Sequence, residues 1–403
     1  MCTTSTWMRW LRWGSGRRCP KWLSRWRICP TIRAWRSGPA PDPARRVQVV
    51  TDFPTQPEAL GPAELTDYLR AAGVLAGGRV TDARFEFIGH GKMGDNARFS
   101  LSYDGDAGGA PLTLVAKFPA ADERARSLAG AAGIYYNEVM FYRALAPRTS
   151  IRVPATYGSE ISTDRLSFLL LLEDMAPAEP GVQMVGETHA HTVLALREAV
   201  KLAAAFYDDD SILALDHVVR RAHGENADFA QLLLVDAWPG FVDRFGQGLD
   251  ADQLAFGERY VTNYVSVAAG YEGATTLAHG DFRSENIMFG GDTATTVDWQ
   301  TVGLSNPLTD ISYFIGGSIE ADDRRAWERD LLSGCRRQFD DAGIELGEAE
   351  CWDLYRRGAM HGVNITVLGA TFSSPDPRGD EMFMTMAQRH TRHCLDVGAE
   401  EFL

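Results

Sequence analysis

Residues 278–289 read AHGDFRSENIMF, and VDWQ follows at 297–300. The order of polar groups here is the tightest constraint in the chain. Asp281 is followed after five residues by Asn286 and, twelve residues later, by Asp298, which ends the apolar run TTV. A carboxylate on a tight loop can accept a hydrogen bond from an attacking hydroxyl and orient it. An asparagine oxygen and a second carboxylate are hard ligands suited to Mg²⁺. Each residue alone serves equally well as a turn former or a cap. In this order and spacing they suit a site that holds divalent metal against phosphate, beside a hydroxyl.

Upstream lie three features that this site would need. Gly89-His90-Gly91-Lys92-Met93-Gly94 is a GxGxxG cluster. A dinucleotide-binding turn would place it between a strand and a helix, with an acid on the next strand. Here a strand follows, and APLTLVA at 110–116 offers no acid. A strand–loop–strand flap fits better: Gly89, Gly91 and Gly94 lack a Cβ, so the backbone could lie over phosphates. A plain hairpin turn also fits. Lys117 ends the alternating strand LTLVAKF, and a lysine there asks for a partner. Glu138, 21 residues on, interrupts the apolar helix YYNEVMFY. Paired, the two would set an ammonium against phosphate oxygens. Unpaired, they are an edge-strand lysine and a solvated glutamate.

Charge is unevenly placed. Residues 1–46 carry eleven Lys and Arg against Asp42, a charge of +10, whereas the chain totals −14, leaving −24 for the rest. That acidic body argues against nucleic acid as a partner. It suits solubility, or neutral and cationic small molecules. Six scattered cysteines form no CxxC pair, so a reducing, cytoplasmic setting is expected. No apolar run approaches the roughly 18–20 residues of a membrane span. Residues 1–49 hold six of the ten tryptophans and no apolar segment of signal-peptide type. We expect this extension to be disordered or not native coding sequence, with Val50 standing where an alternative start was read through.

Periodicity organises the remainder. A short amphipathic helix is expected over 62–75, then an antiparallel sheet of at least three strands over 84–118, with DGDAGG at 104–109 as a hairpin turn. A helix follows over 121–146, and two strands over 152–157 and 167–172. The stretch LEDMAPAEPG at 172–181 reads as a connector. Helices are expected over 187–207, 227–246, 252–270, 320–343, 348–370 and 378–396.

With YYNEVMFYRAL, LLLLEDM, HGDFRSENIMF and VDWQ…GLSNPLTDISYF in place, the chain resembles the aminoglycoside phosphotransferase superfamily of small-molecule kinases over roughly residues 80–400. Within it, the ecdysteroid-kinase-like branch is the nearest match. The resemblance implies an α+β, bilobal protein-kinase-like fold: a small antiparallel-sheet N-lobe with one helix over 50–175, and a larger, mostly helical C-lobe over 176–403. It implies ATP and Mg²⁺ as cofactors and a small-molecule hydroxyl compound as partner. Lys117 would hold the ATP phosphates and be positioned by Glu138. Asp281 would be the catalytic base, and Asn286 and Asp298 the metal ligands. The backbone around Leu172–Met175, Glu173 and Met175 included, would receive adenine at the hinge. Trp299-Gln300 after the metal aspartate, where protein kinases have Phe-Gly, speaks against a protein substrate. AAAFY at 203–207 lacks the Leu-His common in relatives. Arg283 has no assigned role.

The implied activity is transfer of the ATP γ-phosphoryl group to a small, apolar alcohol. The alternatives are an aminoglycoside-type antibiotic phosphotransferase and a catalytically inactive nucleotide-binding module. Among the remaining polar residues, His279 is expected to brace its loop and Asp310 to tie that loop down. His390, His393 and Cys394 share a helix face as a conceivable metal set.

Overall fold

The computed structural model describes residues 52–89, 93–220, 225–373 and 375–403. The basic N-terminal stretch and Gly91 lie outside the described residues. The first body comprises α1 (Pro62–Ala71), β1 (Arg79–Phe87), β2 (Gly94–Asp104), β3 (Thr113–Pro119), α2 (Glu123–Ala131), α3 (Ile134–Met140), β4 (Thr156–Ile161) and β5 (Phe168–Glu173). Its five strands form one antiparallel sheet in the order β1-β2-β3-β5-β4.

The run FLLLLE in β5 lacks polar alternation because both its faces are covered. Leu169 and Leu171 pack with Leu65 and Leu69 of α1 and with Phe99 and Leu114 of the neighbouring strands. Phe168, Leu170 and Leu172 face the other way, against Tyr135, Val139 and Phe141. A strand buried on two sides reads as a continuous apolar run. On β3 the alternation sends Leu114 and Ala116 into the α1 side and leaves Val115 and Lys117 on the opposite face.

The single helix expected over 121–146 is divided. Asp122 caps α2 by accepting from the Ala125 amide at 2.8 Å. Gly133, at φ +76°, then breaks the run in a left-handed conformation that side chains disfavour. After α3 the chain widens into a π turn over Phe141–Leu145. The strand expected over 152–157 instead begins at Thr156, after Pro154, which has no amide to donate to a ladder.

The second body is mostly helical: β6 (Glu179–Pro180), α4 (His189–Ala205), α5 (Glu225–Phe245), α6 (Ala251–Ala269), β7 (Thr276–Ala278), β8 (Ile287–Gly290), β9 (Thr293–Thr296), β10 (Gly303–Ser305), α7 (Thr309–Ser318), α8 (Ala321–Asp341), α9 (Glu348–Phe372) and α10 (Pro377–Asp396). Strands β7 and β10 pair, as do β6, β8 and β9. These short ladders hold the HGD loop and the VDWQ turn at one end of the helical body. Helix α7 shows no amphipathic period. All ten of its residues are buried, so it has no polar face to mark a period. Among the described residues no helix is long and apolar enough to cross a membrane.

Leu171 is fully buried in the middle of the five-stranded sheet. Leu171→Ala should destabilise the protein by about 2–5 kcal/mol, seen as a lower midpoint of urea unfolding. A midpoint within error of the parent would contradict the two-sided packing of β5.

Candidate active site

A cleft of about 1030 Å³ lies between the sheet and the helical body. Gly89, Gly94, Lys117, Glu138, Glu173 and Met175 line it from the first body, and Asp281, Asn286 and Asp298 from the second. Every expected site residue among those described therefore faces one cavity. The glycine cluster joins β1 to β2, strand to strand, which removes the dinucleotide-binding alternative. A Cβ on Gly94 would lie 2.8 Å from the Phe118 carbonyl oxygen, so only glycine lets β2 leave the flap this close to β3. The Tyr135 hydroxyl donates to the Met93 carbonyl at 2.6 Å and ties the flap to α3.

Lys117 is the centre of the cleft. Its ammonium donates to Glu138 Oε1 at 2.5 Å and to Asp298 Oδ1 at 3.2 Å. Burial, the largest influence, works against the charge, but Glu138 and Asp298 together outweigh it and raise the pKa of Lys117. The amine stays protonated. Asp298 sits in the left-handed region at φ +68°, a conformation costing of order 1–3 kcal/mol for a residue other than glycine. Gln300 Nε2 donates to its second oxygen at 3.0 Å.

The next residue fixes this arrangement. Trp299 is fully buried and stacks on Phe141 with ring centroids 3.6 Å apart and planes 4° from parallel. Its backbone amide also donates to Glu138. Phe141 lies three residues beyond Glu138, on the same helical face. One aromatic pair thus locks the glutamate helix to the turn that carries Asp298.

The HGD loop is held from several sides. The Asp310 carboxylate accepts from the amides of His279 at 2.6 Å and Gly280 at 3.0 Å. His279 Nδ1 accepts from the Asp281 amide at 3.2 Å, so its Nε2–H donates to the Val297 carbonyl at 3.0 Å. Both ring nitrogens are used in bracing, as expected for His279 and Asp310. Asp281 Oδ1 accepts from the Tyr313 hydroxyl at 2.9 Å. Its Oδ2 accepts from Asn286 Nδ2 at 3.0 Å and Arg283 Nε at 3.3 Å. Asn286 also donates to the Asp281 carbonyl at 2.8 Å. With its NH₂ committed to Asp281, Asn286 offers the cleft only its oxygen.

These donors suit magnesium. Asn286 and Asp298 supply hard oxygens, and Mg²⁺ commonly takes only one or two protein ligands, the rest coming from water and phosphate. Among the described residues no group of three or more His, Cys, Asp and Glu is placed to hold a metal by itself. The suggested His390–His393–Cys394 set fails on that count. All three are fully buried, no nitrogen of either ring has a hydrogen-bond partner, and burial pushes His390 down to about 3. His390 instead stacks under Tyr313 as a neutral ring, centroids 4.9 Å apart. The acids Asp208, Asp209 and Asp210 are not part of the cleft lining, and Asp209 pairs with Arg148 at 2.5 Å.

Sequence reasoning missed several contributors. Tyr313 could have been found, since it lies three residues after Asp310 and so shares its helix face. His361, whose Nε2–H donates to the Gly280 carbonyl at 2.8 Å, carries no sequence signal. Nor do Ile365, Met382, Phe383 and Met386 of α9 and α10, which form an apolar wall at the HGD side of the cleft.

Trp299→Ala should lower stability by about 3–5 kcal/mol. Trp299→Phe, which keeps a ring on Phe141 and loses the 3.2 Å Nε1–H bond to the Thr296 carbonyl, should cost about 1 kcal/mol. Urea unfolding of both variants checks this; equal losses would contradict the stack as the dominant contact.

The profile of the ecdysteroid kinase-like family matches residues 93–342. No curated protein matches the chain. Among solved structures, the chain is similar to choline kinase from Cryptosporidium parvum Iowa II at 10% identity and a TM-score of 0.50, covering 79% of this chain and 89% of that one. It is also similar to a Ralstonia eutropha JMP134 protein described as an aminoglycoside phosphotransferase, at 13% identity, TM-score 0.46, covering 82% and 98%. The gentamicin complex of APH(2")-IIa aligns at 14% identity, TM-score 0.46, covering 85% and 98%. At these identities the likeness concerns the fold, which is the α+β, bilobal kinase-like one. The family match spans more than half of the chain, and the protein belongs to the ecdysteroid kinase-like family.

Proposed function

We propose that the protein is a small-molecule kinase that transfers the ATP γ-phosphoryl group to a hydroxyl of a small apolar alcohol. One observation carries this: Lys117, anchored by Glu138, reaches Asp298 in the same cleft where Asn286 and Asp281 meet. Phosphoryl transfer depends on positioning and charge neutralisation, and these groups supply both. In this proposal Gly89, Gly91 and Gly94 cover the phosphates, and Lys117 binds them. Glu173 and Met175 mark the hinge that receives adenine. The lobes divide at about residues 175–176. Asn286 and Asp298 would hold Mg²⁺, which when bound neutralises phosphate charge. Asp281 accepts the hydrogen bond of the acceptor hydroxyl and takes its proton as the acceptor oxygen bonds to phosphorus. An ATP-using enzyme fits the cytoplasmic setting expected from the cysteines.

The wall of the cleft supports an apolar acceptor. Ile365, Met382, Phe383 and Met386 line the side next to Asp281, where Arg283 and Arg378 are paired with Asp281 and Glu285. An inactive binding module would not need Asp281 held at both oxygens, so catalysis is the stronger proposal.

The test is ADP release from Mg·ATP by the protein from Val50 onward, against sterols, other apolar alcohols, choline-type alcohols, sugars and aminoglycosides. Release with an apolar alcohol is expected. Asp281→Asn should reduce it by about 10²–10⁴-fold, and Asp298→Ala by at least as much. Lys117→Ala should act mainly by weakening ATP use. Release driven by aminoglycosides alone would reverse the acceptor assignment. Full activity in Asp281→Asn would remove its assigned role.

A further inference from the structure

Arg283 is a charged cleft residue to which the foregoing roles assign no part. It follows Asp281 by two residues across a tight turn in which its own amide donates to the Asp281 carbonyl at 3.0 Å, which brings the two side chains back together. Its Nε therefore returns to Asp281 Oδ2, 3.3 Å away, while Nη1 donates to Glu285 at 2.5 Å and touches Met382 Sδ at 3.7 Å. The side chain is 17% exposed and lines the cleft.

A purely structural explanation would make Arg283 a strut between the HGD loop and α10. That connection already exists: Arg378 of α10 donates to Glu285 Oε1 at 3.1 Å. Arg283 instead holds the carboxylate that the acceptor hydroxyl must approach. In an in-line transfer the acceptor oxygen sits at hydrogen-bond distance from Asp281, with phosphorus about 3–3.5 Å beyond it. A guanidinium in contact with that same carboxylate lies within reach of the equatorial oxygens of the transferred group. Guanidinium has five N–H donors in a planar fork that matches phosphate. The contacts to Asp281 and Glu285 engage Nε and Nη1, leaving Nη2 uncommitted by them. Lys117 enters the same cleft beside Asp298, so a phosphoryl group held there would meet a second cation.

Resting on the kinase proposal, we infer that Arg283 is a catalytic residue that stabilises the charge on the transferred phosphoryl group. The acceptor oxygen–phosphorus bond forms as the phosphorus–oxygen bond to the β-phosphate breaks. The bonding pair leaves with ADP, and the hydroxyl proton passes to Asp281. Arg283 exchanges neither proton nor electrons; its hydrogen bonds strengthen as charge spreads over the equatorial oxygens. Arginine fingers that stabilise transition-state charge in other phosphoryl-transfer enzymes contribute about 10³–10⁵-fold.

The test needs no knowledge of the acceptor. Mg·ADP binding is measured by calorimetry with and without aluminium fluoride, which mimics the transferred group, in the parent, Arg283→Gln, Arg283→Lys and Arg378→Met. Parent protein should bind Mg·ADP more tightly when fluoride complex is present. Arg283→Gln should bind Mg·ADP within about threefold of parent, which also reports its folding, yet lose most of the fluoride gain. Arg283→Lys, which keeps the charge but not the fork, should lose at least about tenfold of that gain. Arg378→Met should retain it. Retention of the gain in both Arg283 variants overturns the inference, as does an equal loss in Arg378→Met, the signature of a strut. Failure of the parent to bind Mg·ADP at all overturns the kinase proposal itself.

Discussion

One buried ammonium between two carboxylates holds the structure's working parts in place. Lys117 comes from a strand, Glu138 from a helix and Asp298 from a turn 181 residues away from the lysine. Either acid alone would still pair with the ammonium, and together they outweigh its burial and keep it charged. The triad therefore draws the sheet, the helix and the second body to one point. Because Asp298 belongs to the second body, the contact also spans the cleft.

Packing reinforces that charge pattern. Trp299 on Phe141 fixes the distance between the Glu138 helix and the Asp298 turn, and the turn in turn holds Asp298 in a left-handed conformation. Asp310, His279 and His361 supply backbone hydrogen bonds to the HGD loop, while Tyr313 and Asn286 aim at Asp281. The result is a pair of rigid carboxylates with separate partners, Asp281 facing donors and Asp298 facing an ammonium. Such preorganisation is what a reaction governed by positioning requires.

The elements that announced themselves in the sequence were those with a conflict or a period. Lys117 stood out because a lysine interrupted an alternating strand, and Glu138 because an acid interrupted an apolar helix face. Asp281, Asn286 and Asp298 were legible from spacing. The amphipathic helices of the second body lay close to where their periods put them. What stayed hidden had no local signature. Helix α7 is buried all round and so lacks a period. The division between α2 and α3 depends on one left-handed glycine. Tyr313, His361 and the wall formed by Ile365, Met382, Phe383 and Met386 reach Asp281 and its loop only through tertiary contacts 30 to 100 residues long. Arg283 was visible as a residue, but its meaning came only from the distances to Asp281 and Glu285.

The central claim is that one cleft gathers nucleotide phosphates, metal and base. The most direct measurement is a crystal structure with Mg²⁺ and a non-hydrolysable ATP analogue. The account predicts phosphate oxygens against Lys117, the metal between Asp298 and Asn286, adenine at Glu173–Met175, and the γ-phosphate facing Asp281. A nucleotide bound elsewhere, or phosphates lying away from Lys117 and Asp298, would contradict it.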